Sequence, residues 1–202
     1  MKKRSFLTST FTVFGLVATI ATASAAPLPA DAKAGTYAID PHHTQVVFSL
    51  LHLGFTNYTG LLSDASGSLM FDPQRLDKTK LTVSVKIDSV ETTSDRLTGE
   101  LKSADWFDAT RFPTATFIST NVTQTGNGEA DIGGNLTLHG VTKPVTLHAR
   151  FIGAGVNPMD KAYTLGFEGT TTVKRSDFGV SKYVPMVGDD VTLSLAGAFE
   201  KK

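Results

Sequence analysis

The stretch Leu81-Thr82-Val83-Ser84-Val85-Lys86-Ile87-Asp88 alternates apolar and polar residues without a break. In an extended chain successive side chains point to opposite faces, so this rhythm puts four branched apolar chains on one face and four polar groups on the other. A helix would scatter both sets around its axis. The same period of two returns in Val145, Leu147, Ala149 and Phe151, in Tyr163, Leu165 and Phe167, and in Val191, Leu193 and Leu195, with Phe199 closing the last run. The chain therefore reads as about eight half-buried strands.

Glycine and proline punctuate them. Asp72-Pro73 ends one strand, Gly126-Asn127-Gly128 reads as a hairpin tip, and Gly140 to Pro144 joins two more. Connections this short favour antiparallel neighbours. The expected class is all-β, an antiparallel barrel or sandwich, and strands of about 8 to 12 residues lean toward the barrel. One stretch resists the rhythm: between Thr93 and Pro113, Leu97 and Leu101 stand four apart, and Ser103 is placed to cap a turn over Ala104 to Phe107. It reads as a short helical insertion.

From Thr44 to Phe55 both parities are apolar, with Val46, Phe48 and Leu50 on one face and Val47, Leu51 and Leu53 on the other. One face should line the interior while the other lies beneath a cover, for which the helical insertion is the candidate. A closed sheet of eight strands either fills itself with side chains or holds one slim ligand. The proposed inner faces carry no charge and are rich in Val, Leu and Phe, with 13 Phe against one Trp and four Tyr. A ligand inside would be apolar.

The 202 residues carry 19 basic and 19 acidic groups and no cysteine. Collagen-like, disordered and disulfide-stapled classes are excluded by that composition. Lys2, Lys3 and Arg4 precede an apolar run from Phe6 to Ala21, and Ala23-Ser24-Ala25 fits the small-x-small cleavage rule. A signal peptide over residues 1–25 is expected, then a spacer over 26–34 exposed to solvent, and one domain over 35–202. Cleavage leaves 16 basic against 19 acidic groups, net −3. No basic excess remains to hold a nucleic-acid backbone. The mature protein is expected in the periplasm or outside the cell.

The search for chemistry returns little. There is no Gly-x-Ser-x-Gly elbow, no His-Glu-x-x-His pair, no thiol, and neither a Walker nor a dinucleotide glycine pattern. His42 and His43 are adjacent and so point apart in an extended segment; His139 and His148 flank a hairpin and can meet on its outward face, without a carboxylate nearby. Asp189-Asp190 with Asp177 lacks the alternation of a calcium loop. His52 shares parity with Phe48 and Leu50 and is expected to point into the apolar interior, as a satisfied core histidine or against a ligand's polar head. Trp106, Phe107, Phe112 and Phe117 cluster in and after the insertion, as a plug or a lid at one barrel end.

Four motifs together resemble the YceI-like family of secreted polyisoprenoid- or lipid-binding barrels. They are Ile39-Asp40-Pro41-His42-His43-Thr44 with His52-Leu53-Gly54; Leu101-Lys102-Ser103-Ala104-Asp105-Trp106-Phe107-Asp108 with Arg111-Phe112-Pro113 and Ala115-Thr116-Phe117; Leu136-Thr137-Leu138-His139-Gly140-Val141-Thr142-Lys143-Pro144-Val145; and Arg175-Ser176-Asp177-Phe178-Gly179-Val180. The resemblance covers nearly all of the expected mature chain in order. It implies an extended, lipocalin-like antiparallel barrel whose hydrophobic pore takes a long-chain isoprenoid or amphiphile. It also implies that His43, Thr44, His52 and Phe178 are barrel-end or pocket positions. Two positions depart from the family pattern: Glu100 stands where many relatives have His, and Leu62 where a Phe usually follows Gly60.

The residues expected at the ligand are Phe48, Leu50, His52, Leu97, Leu101, Trp106, Phe107, Phe112, Phe117, Phe178 and Leu193. No catalytic residue, metal or cofactor is expected; the bound molecule would be an isoprenoid, a quinone-like compound or a fatty-acid derivative. A homodimer or an envelope protein partner is compatible with the sequence. The competing expectations are a filled barrel acting through other envelope proteins, and a lipid-acting enzyme with His52 or His43 as base.

Overall fold

The computed structural model describes Leu28 and residues 32–202. The expected signal peptide lies outside the described residues. Of the expected spacer, Ala32 is buried and Leu28 is half-buried against the core, so at those positions the segment packs rather than standing in solvent.

Eleven strands and one α-helix follow in order: β1 (Gly35–Ile39), β2 (Gln45–His52), β3 (Thr56–Leu62), β4 (Ala65–Phe71), β5 (Lys80–Lys86), β6 (Val90–Glu91), α1 (Asp95–Lys102), β7 (Thr114–Gly126), β8 (Glu129–Leu138), β9 (Val141–Val156), β10 (Tyr163–Lys174) and β11 (Asp190–Lys201). Six of the strands are halves of three longer staves. Asp40 to Thr44 interrupts β1/β2, Ser63-Asp64 interrupts β3/β4, and a single 3-10 turn, Ile87–Ser89, interrupts β5/β6. Both halves of the first stave pair with β11, and the halves of the second pair with those of the first and third. The result is eight antiparallel staves, each beside its sequence neighbour, with the last closing on the first. Closure leaves no free sheet edge around most of the ring.

The alternation of Leu81, Val85 and Ile87 is realised as inward burial, with Thr82 and Lys86 exposed and Ser84 half-buried. Tight two-residue turns set the register. His139 and Gly140 both take positive φ (51° and 77°) between Leu138 and Val141, so Val141 to Pro144 already belongs to β9 rather than to the turn.

Helix α1 begins at Ser94, whose side chain accepts the Leu97 N–H at 3.4 Å, and carries Asp95 in its first turn and Lys102 in its last. Ser103 ends this helix, its hydroxyl donating to the Glu100 carbonyl at 2.7 Å, and its own carbonyl opens the expected turn over Ala104 to Phe107 by accepting the Trp106 N–H at 3.0 Å. The insertion closes one end of the barrel, with Leu101 and Trp106 buried. It is not the cover expected over the outer face of β2, where Leu51 stays 48% and Leu53 46% exposed. A helix anchored by Leu101 pointing down the pore has no apolar side left for the outer wall.

Candidate ligand-binding cavity

A cavity of about 280 Å³ runs down the barrel axis. Its wall is built by the alternating faces: Leu81, Val83, Val85 and Ile87 from the third stave, Val145, Leu147, Ala149 and Phe151 from β9, Leu193, Leu195 and Phe199 from β11. Seven of the expected ligand residues line it, namely Phe48, Leu50, Leu101, Trp106, Phe107, Phe117 and Leu193. Two large rings fit this narrow bore because glycine stands beside each. A Cβ on Gly60 would lie 2.3 Å from the Phe48 ring, and one on Gly134 would lie 2.4 Å from the Phe117 ring. Each ring reaches over bare backbone of the neighbouring stave.

His52, Leu97, Phe112 and Phe178 do not reach this cavity. His52 keeps the parity of Phe48, but β2 runs out beyond the rim there; the side chain is exposed, with its ring 6.5 Å from that of Tyr58. Leu97 packs half-buried against the core from the outer turn of α1. Phe112 turns away to meet the His139 ring edge-on at 4.5 Å. Phe178 is buried, yet it faces the outer side of the wall between β9 and β10.

Phe71, Phe151, Phe167 and Phe199 form a second lining group. Phe167 sits among the other three with edge-to-face centroid separations of 6.1, 5.6 and 6.0 Å. Phe151, Phe167 and Phe199 are legible from alternation, whereas Phe71 lies before the Asp72-Pro73 break and carries no comparable signal.

The inner surface is not wholly free of charge. Arg175 is 4% exposed and lines the end closed by the insertion. Its guanidinium donates to four backbone carbonyls, those of Gly188, Val180, Lys182 and Val187, at 2.8 to 2.9 Å. Burial lowers its affinity for the proton, offset in part by Asp189. Glu100, the departure from the family pattern, accepts the Trp106 indole N–H at 3.3 Å and so holds the ring that closes the pore. Leu62, the other departure, is buried and lines the cavity.

Three of the histidines find structural partners for their rings. His43 Nδ1 bonds to Asp40, which also accepts the His42 backbone N–H at 2.9 Å. His148 does have a carboxylate, Asp131, at 2.6 Å across the β8–β9 ladder. His139 sits in the β8–β9 turn and bonds to the Phe178 carbonyl at 3.1 Å; His148 lies seven residues up β9 from Val141, about 23 Å at a strand's rise, so the two do not meet. Asp189 accepts from the backbone and hydroxyl of Ser176, and Asp190 pairs with Lys174. Among the described residues no three His, Asp or Glu side chains come together in a way that holds a metal ion.

Residues 37–199 match the family model described as the YceI-like domain. A UPF0312 protein of Ectopseudomonas mendocina is 41% identical over 167 residues, covering 82% of this chain and 87% of the relative. Among solved structures, BcnA of Burkholderia cenocepacia superposes with a TM-score of 0.72 at 23% identity, covering 79% of this chain and 98% of that one. A polyisoprenoid-binding domain from Saccharophagus degradans superposes with a TM-score of 0.63 at 13% identity, covering 82% and 98%. The match spans every stave of the barrel and the insertion that closes it: the chain belongs to the YceI-like family.

Proposed function

We propose that the protein is a non-catalytic carrier that encloses the chain of an isoprenoid or similar amphiphile, in the periplasm or outside the cell. The observation that carries this reading is the axial cavity, lined almost entirely by aliphatic and phenyl groups. Such a surface gains about 0.8 kcal/mol for each CH₂ it withdraws from water, so ten methylenes offset the several kcal/mol spent on ordering a floppy chain. Affinity should then follow chain length more than head group. The polyisoprenoid-binding domain that shares the fold supports the ligand class. The basic start and apolar run of residues 2–21 support export.

The cavity also argues against the filled-barrel reading, and no base, nucleophile and orienting acid converge on it to support a lipid-acting enzyme. The test is native mass spectrometry of the protein taken from its own envelope fraction, followed by organic extraction. A stoichiometric prenyl or acyl compound establishes the carrier and names its cargo; the mass of the intact species reads out a homodimer or an envelope partner. An empty protein that also refuses added long-chain isoprenoids returns the weight to a filled barrel.

A further inference from the structure

The barrel wall has a seam. β8 and β9 stay paired down to Leu138 and Val141, and β10 and β11 stay paired down to Lys174 and Asp190. The ladder between β9 and β10, in contrast, ends at His148 and Thr170. Beyond that pair the two strands continue toward the closed end of the barrel without a rung between them. The residues flanking a two-residue turn exchange both hydrogen bonds, so Leu138 and Val141 fix the phase: Thr142, Pro144 and Thr146 turn their backbone groups toward the seam. Pro144 has no N–H to offer there, which is where a proline in a sheet belongs.

A solvent-open groove of about 620 Å³ occupies the seam. Both faces of the wall contribute to it. Thr146 and Thr172 are exposed on the outside, while Val145, Thr171 and Val173 line the groove and the axial cavity alike. The opening is bounded below by the turn that follows β10, where the Phe178 carbonyl takes the His139 hydrogen bond and Gly179 lies against the same ring. It is a gap in the ladder, lined on its floor by the buried Phe178 and bounded at its lower edge by that clasp.

We infer that this window between β9 and β10 is the lateral entrance through which an apolar chain reaches the axial cavity, and through which a long chain leaves part of itself outside. The inference rests on the carrier reading. An engineered cavity of about 150 Å³ holds one benzene ring, so the 280 Å³ here takes roughly a dozen carbons. The rest of a long chain needs a way out, and the insertion blocks one end with Trp106 and Phe107. The threonines at the lips give its polar end a wet rim, and Val145, Thr171 and Val173 give the chain a continuous inner path.

The chain has no cysteine, so a pair placed across the seam is unique. Extending the register beyond His148 and Thr170 sets Thr146 opposite Thr172. In Thr146→Cys/Thr172→Cys, oxidation or a short bismaleimide bolts the window. Thr137→Cys/Thr142→Cys, whose native hydroxyls lie 2.8 Å apart on paired strands, bolts a ladder that is already closed. Uptake and release of cis-parinaric acid, a fluorescent polyene fatty acid, are followed by stopped flow. The bolted seam should slow both by about tenfold or more, trap acid loaded beforehand, and recover fully when a disulfide is reduced, while the control pair changes neither rate. Unchanged rates in the bolted seam, with wild type loading normally, overturn the window alone. A wild type that takes up no parinaric acid overturns the carrier reading and the window with it.

Discussion

The guanidinium of Arg175 stands 5.4 Å from the centre of the Trp106 ring, and both are nearly fully buried at the closed end of the pore. The ring therefore rests on a cation whose donors are taken up by carbonyls of Val180 to Gly188. One side chain thus ties the last loop of the barrel to the aromatic that stops its bore. Tyr183 in the same loop meets Trp106 from another side, edge-on at 6.2 Å.

Arg175→Met should unfasten this end. Methionine fills much of the volume but leaves four carbonyls without a donor, at about 1–3 kcal/mol for each that stays buried; water entering an opened loop recovers part, for a net loss of about 3–5 kcal/mol. Arg175→Lys keeps the charge but not the planar fork, and should lose about 2 kcal/mol or more. Urea unfolding measures both. A lysine variant as stable as wild type would mean that charge alone holds the loop.

Gly60→Ala should displace the Phe48 ring, because the added methyl would sit 2.3 Å from it with the Glu91 carbonyl only 2.8 Å away on the other side. Crowding of this kind costs about 1–3 kcal/mol and drives the ring into the cavity. The melting temperature should fall and bound lipid chains should become shorter. Unchanged lipid length in a destabilised variant would place the displaced ring elsewhere.

Thr79 carries the single buried side-chain oxygen among the described residues with no hydrogen-bond partner, and its residue is 8% exposed on the cavity wall. Thr79→Val removes a hydroxyl that is desolvated for nothing and keeps the shape. It should stabilise by about 1 kcal/mol. A loss of stability of that size would show that the hydroxyl has a partner in solution.

Alternation over Leu81 to Ile87, Val145 to Phe151 and Val191 to Phe199 names the inner wall from the sequence because a strand's parity is a local property. The interruptions at Asp40 to Thr44, Ser63-Asp64 and Ile87–Ser89 are less legible, since each break is fixed by what the neighbouring stave does. His52 is misplaced by parity for a related reason: alternation says which side a residue faces, but not whether wall is still there. Arg175 gives no local sign of its role, as its partners lie up to 13 residues along the chain in a loop without regular structure. Phe178 and Phe112 are aromatic in family motifs, yet their rings serve the outer wall and the His139 turn.

The Asp40–His43 pair sits where the first stave is interrupted, with Asp40 nearly buried and the His43 side chain 74% exposed. Burial alone would push the Asp40 carboxyl up, but the bonds from the His43 ring and the His42 backbone more than offset it and hold the carboxyl below its usual 3.8. The same bond, and the charge behind it, raise His43 above its usual 6.5. A lowered acid contributes stability above its unfolded value and loses it as pH falls through the folded one; a raised base contributes fully below 6.5 and loses it as pH rises through the folded value. The pair should therefore help most between about pH 4 and 6.5 and fade on the alkaline side. In proton NMR the His43 ring should titrate above 6.5 in wild type and return toward 6.5 in Asp40→Asn, and His43→Gln should flatten the decline in melting temperature between pH 6 and 8. A wild-type midpoint at or below 6.5 would mean that Asp40 is held by the His42 backbone alone, leaving the exposed ring free to swing into solvent.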